Sequence, residues 1–187
     1  VNDILKGESS MNKKLIKAAV IGALFSVAPI SFAADEVEEI KAPASMLDDF
    51  SFSANIGLYS DYIFRGYTQT QGEPAIQGGF DVEHSSGLYI GTWASNVDWT
   101  TAGGYMDKNS IEVDLYGGWA TELPFGGIGF DIGVLQFLYP GSDTAGAVET
   151  DATEVYVGLS KDFLEGKFSV SLTNYVVVSD DAWGFSN

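Results

Sequence analysis

The side chains best equipped for chemistry in this chain are acids held at even spacings. Asp61, Asp81, Glu83, Glu112, Asp114, Asp131 and Glu154 all fall on the polar phase of segments that alternate apolar and polar residues, opposed within those segments mainly by Arg65. Carboxylates ringed around a water-filled path concentrate cations and exclude anions. In a narrow, packed interior the same groups become a paired filling, with Arg65 offering its planar fork to two carboxylates. Tyr89, Trp93 and Tyr116 share the polar phase, where they could stack on sugars or pack the interior.

The single histidine raises a second chemistry. His84-Ser85-Ser86 has an H-x-S spacing that resembles outer-membrane lipid deacylases, and Glu83 or another acid could orient the imidazole for base-assisted attack by a hydroxyl. Gly87 follows directly, however, and Ser and Gly are expected in a tight turn between strands for backbone reasons alone. The expectation is therefore a turn, no catalytic residue and no enzyme. Asp180 and Asp181 could hold calcium weakly in an external loop, but a solvated loop is the simpler reading, so no metal and no cofactor is assigned. Without cysteine there is no disulfide, thiolate-zinc site or thiol catalysis.

The elements that must position the acids read as strands. From Phe50 to Arg65 one phase carries Phe50, Phe52, Ala54, Ile56, Leu58, Tyr62 and Phe64, and the other Ser51, Ser53, Asn55, Gly57, Asp61 and Arg65. This predicts one sixteen-residue strand, far longer than an average soluble one. Similar splits recur at 75–83, 88–96, 111–122, 128–138, around Val155 to Leu159 and around Phe168 to Leu172, with Leu135 and Phe137 blurring the end of one of them. Each strand has one apolar face, a pattern shared by lipid-facing barrels and by soluble sandwiches or lipocalin-like barrels.

Connection lengths separate these. Those after the second, fourth and sixth strands are short (84–87, 124–126 and 164–166), whereas Gly66 to Glu73, Val97 to Asn109 and Pro140 to Ala152 are longer and richer in Gly, Thr and acids. Outer-membrane barrels have short periplasmic turns and longer external loops. Phe52 and Tyr62 lie ten residues apart on one phase, and ten residues at ~3.3 Å each, tilted about 45°, rise roughly 23 Å, near the ~25 Å apolar band between two aromatic girdles. Trp119 and Phe168 fall on the apolar phase near the opposite, periplasmic end.

The start of the chain adds a compartment. Residues 1–10 read as upstream read-through before Met11, and 11–33 as a secretory signal: Lys13, Lys14 and Lys17, an apolar run from Ala18 to Ala28, then Ser31-Phe32-Ala33. That run is too short to span a bilayer, which takes ~20 residues, and nothing later is apolar for that length, so the chain crosses a membrane as a closed barrel or not at all. Removing 1–33 takes four lysines and two acids from 9 basic and 26 acidic residues and leaves a net charge of −19. Such a surface repels nucleic acid and favours cationic partners, or reflects salty surroundings. Residues 34–49 are then an acidic periplasmic linker and 50–187 one barrel domain.

The run SDYIFRGYTQTQGEPAIQGGFDVEHSSGLYIGTWASNVDW, followed by SIEVDLYGGW, GFDIGVLQFLYPG and TEVYVGLSKDF, closely resembles the TorF family of porins, proteobacterial conserved hypothetical proteins. The resemblance covers roughly residues 50 to 178 and is most specific at Asp61-Tyr62-Ile63-Phe64-Arg65-Gly66. It implies an exported outer-membrane barrel, usually longer at the C-terminus, and supplies no substrate. The expectation is an all-β, antiparallel up-and-down transmembrane β-barrel with seven visible strands and its closing C-terminal strands missing. It would sit in the outer membrane of a Gram-negative bacterium, among its lipids, and pass small solutes or cations, while a non-conducting structural barrel or a ligand-binding one stays open, as does oligomeric state.

Overall fold

The computed structural model describes residues 48–180 and 182–183. The read-through, signal and most of the linker assigned to 1–49, the Asp180–Asp181 pair as a pair, and the last four residues lie outside them.

Seven long strands follow one another in a single antiparallel sheet, each bonded to its chain neighbour. They are β1 (Phe50–Tyr59), β4 (Ala75–His84), β5 (Leu88–Asn96), β7 (Ile111–Glu122), β8 (Ile128–Leu138), β10 (Ala152–Phe163) and β11 (Phe168–Val177). The first long connection carries β2 (Ile63–Phe64) and β3 (Tyr67–Thr68), the second α1 (Trp99–Ala102) and β6 (Met106–Lys108), and the third β9 (Ser142–Asp143). An antiparallel meander places all three long connections at one end of the sheet and the three short turns at the other. At the long end the connections bind one another. β6 pairs with β9, and the carbonyl of Gln69 accepts from the backbone N–H groups of Asp98 and Trp99 at 2.9 and 3.2 Å.

Burial is inverted relative to a water-soluble sheet. Leu58, Ile76, Ile90, Leu115, Ile132, Val157 and Leu172 are exposed, whereas Asp81, Glu112, Asp114, Asp131 and Glu154 on the opposite phase are buried. The buried face is closed over by its own side chains, which reach across neighbouring strands. The hydroxyls of Tyr89 on β5 and Tyr156 on β10 touch although two strands lie between them. They meet because each ring leans over the strand beside its own, Tyr89 over β7 and Tyr156 over β8. Leu135 and Phe137, which blurred the alternation, are on this inner face and are buried.

Glycine makes the inward packing possible. Tyr89 lies opposite Gly118, Tyr116 opposite Gly91 and Tyr156 opposite Gly133. A Cβ built on any of these three glycines would collide with the partner ring. Each tyrosine therefore lies across its neighbouring strand, covering bare backbone, instead of standing upright into the interior.

The sixteen-residue first strand is corrected. β1 ends at Tyr59, and residues 60–74 turn over the inner face. The period-two pattern of residue types continues to Arg65, but the backbone does not, because Arg65 and Gly66 adopt φ of 48° and 89° and close the β2–β3 hairpin. Tyr62, expected on the outer face as part of an aromatic girdle, is 3% exposed and points inward. Trp119 and Phe168 do stand on the outer face. β1 and β11 are the two edges of the sheet, each paired on one side only.

Candidate inward-facing acid site

The hairpin places its cation on the sheet. Both terminal nitrogens of Arg65 donate to Glu154, each at 2.7 Å, and its guanidinium lies 4.6 Å from the Phe64 ring centre and 5.1 Å from that of Tyr175. The fork expected to serve two carboxylates is thus spent on one. Tyr62 donates to Glu112 at 2.8 Å, and Tyr62 and Phe64 pack edge-on against Trp93 and Phe137. Four of the acids and bases named from sequence, Arg65, Glu112, Asp114 and Glu154, therefore meet near the long-connection end. Glu112 and Glu154 have partners. Both oxygens of the buried Asp114 carboxylate have none.

Asp81 and Asp131 form a second group further along the same face. Tyr116 donates to Asp81 at 2.5 Å and Tyr89 to Asp131 at 2.6 Å, and the Tyr89–Tyr156 contact ties the group across four adjacent strands. Glu83 shares their phase, opposite Ser51 and Tyr89, and is only partly buried near the short turns.

Asp61 is corrected as an inward-facing strand residue. It follows β1 in the connection, where the Thr68 and Thr70 hydroxyls lie 2.7 and 2.8 Å from one of its oxygens. Those hydrogen bonds hold its carboxyl below the ordinary aspartate range. Asp61 fastens the base of the hairpin, while Arg65 fastens the tip.

His84 ends β4, opposite Phe50, and its side chain braces the turn to β5. Its Nδ1 lies 2.8 Å from Ser86 Oγ and accepts the Ser86 backbone N–H at 3.1 Å, and the Phe50 ring packs edge-on to the imidazole. Bonds between residues two apart shape a tight turn. Ser85 donates instead to Asp49 at 2.9 Å.

The residues that reading by type underrated are tyrosines. Tyr62 donates to Glu112, Tyr139 is buried at the end of β8, and Tyr175 lies under Arg65. No strand pattern marks these three, because Tyr62 and Tyr139 lie in connections and Tyr175 stands opposite another tyrosine, Tyr156.

An antiparallel all-β sheet, aliphatic outside and lined inside with carboxylates and tyrosines, is the class these observations define. The chain belongs to the Gcw_chp family, bacterial proteins of unknown function, whose family model matches residues 43–185. No curated protein and no solved structure matches it.

Proposed function

We propose that this protein is a porin-like β-barrel of the bacterial outer membrane that lets small solutes or ions diffuse passively, with a preference for cations. The observation that carries the reading is the inverted burial: an aliphatic face left open on every long strand, over an interior of acids and tyrosines. In water that arrangement exposes the surface that should be hidden; in lipid it hides it. No helix among the described residues is long and apolar enough to cross a membrane. Unpaired strand edges are not tolerated in hydrocarbon, so the reading includes closure at β1 and β11, directly or through further strands. The resemblance to the TorF porins points the same way.

A second reading, a non-conducting structural or ligand-binding barrel, is favoured by one observation. The β2–β3 hairpin and the tyrosine bridge occupy the inner face.

Single-channel recording of full-length protein in a planar bilayer under a salt gradient separates them. The pore reading expects a reversal potential of cationic sign that fades as salt shortens the Debye length from ~10 Å at 0.1 M to ~3 Å at 1 M. Glu112→Gln with Asp114→Asn should lower that selectivity while channels still form. An anion preference contradicts the proposed selectivity, and the absence of channels favours the second reading.

A further inference from the structure

Three acids, Glu112, Asp114 and Glu154, are buried together beneath the hairpin, each 1% exposed or less. Two are answered, Glu112 by the Tyr62 hydroxyl and Glu154 by the Arg65 fork. Asp114 has neither oxygen bonded, yet it lies in the electrostatic reach of both other carboxylates. A proton would remove its charge but leave a hydroxyl and a carbonyl oxygen without partners, a condition buried polar groups seldom keep. One inward-facing polar side chain, fully buried, is set for a partner that the described residues do not supply.

Its surroundings indicate the partner's chemistry. Asp114 sits in register between Trp93 on β5 and Phe137 on β8, both buried, with cross-strand neighbours about 5 Å away at Cβ. Among the described residues no three carboxylate or imidazole groups converge as a metal shell. Water would want two to four polar partners, whereas a carboxylate flanked by aromatic residues suits an organic cation, held by charge and by the rings. Arg65 shows the same recognition within the chain, its guanidinium on Glu154 and against the rings of Phe64 and Tyr175.

We infer that Asp114, between Trp93 and Phe137, is the anchor of a binding site for a small organic cation bearing an alkylammonium or guanidinium group. This rests on the proposed pore, since the interior is the route to it. The site gives the pore a substrate class, organic monocations in preference to Na⁺, and Arg65 on the neighbouring acid is the built-in analogue of that ligand.

Equilibrium binding tests the site without requiring conduction. Full-length protein folded in neutral detergent is heated in ethylammonium chloride or in NaCl at the same ionic strength. Ethylammonium at roughly ten times its Kd should raise the melting midpoint by about 3–6 °C over NaCl. Asp114→Asn should abolish that difference, and Asp162→Asn, at the short-turn end, should keep it. If Asp114→Asn does not fold, Asp114→Glu, which keeps the charge but displaces it, should weaken binding several-fold. Equal midpoints in the two salts for the wild type, or a difference that survives Asp114→Asn, would overturn the inference. Protein that conducts but does not distinguish the salts defeats this site alone. Protein that distinguishes them but never conducts defeats the pore alone.

Discussion

Arg65→Ala should destabilise the folded protein by about 3 kcal/mol, near the lower end of the ~3–5 kcal/mol cost of stripping one partner from a buried ion pair. The lower end applies because the two partners differ in burial: the Arg65 side chain is 44% exposed and that of Glu154 only 1%. Water already reaches the guanidinium, but it cannot easily reach the carboxylate left behind. The loss also releases the hairpin tip from Phe64 and Tyr175. Arg65→Lys keeps the charge but not the fork, so it should recover only part of the stability. Adding Glu154→Gln to Arg65→Ala should restore more than half of the loss, because the orphaned charge is then gone. Urea unfolding in micelles measures all four proteins. A change under about 0.5 kcal/mol for Arg65→Ala, the size usual for an unremarkable surface site, would mean that the hairpin does not depend on this pair.

Ile132→Arg is the second large effect expected, and it probes the opposite face. Ile132 stands on the outer phase in the middle of β8, opposite Trp119 and Val157, and is 44% exposed. In a bilayer an arginine at mid-depth on the lipid face of a barrel costs about 2–4 kcal/mol, and the same change near an interface about 0–1 kcal/mol. Phe168→Arg, at the short-turn end, supplies the interface comparison. Folding of each variant into lipid vesicles under urea should show that depth gradient. Near-equal, small effects at both positions would place the face in water instead.

Much of the architecture was legible from residue types, because exposed apolar and inward-facing positions alternate along the long strands. Ile132 against Asp131, or Val157 against Tyr156, could be assigned to faces without a fold. Long and short connections were equally plain, since Gly, Thr and acid-rich stretches cannot continue an alternating strand. Residues 60–68 were not legible. Tyr62 and Phe64 keep the apolar phase, and nothing in their side chains reveals that Arg65 takes a positive φ and turns the segment inward. Likewise Glu112, Asp114 and Glu154 could be named as inward acids, but which would find a partner depends on where the hairpin lands. That landing is a tertiary fact, set by the Arg65 fork on Glu154 and by Phe64 against Phe137.

Cell fractionation of the full-length protein bears most directly on the outer-membrane reading. An aliphatic outer face of this extent has to be covered, and the proposed reading covers it with lipid. The protein should sediment with the outer membrane, leave it only in detergent, and migrate differently on gels before and after heating, as a folded barrel does. Recovery in the periplasmic supernatant without detergent would contradict the account, because the aliphatic face would then have to be buried by protein.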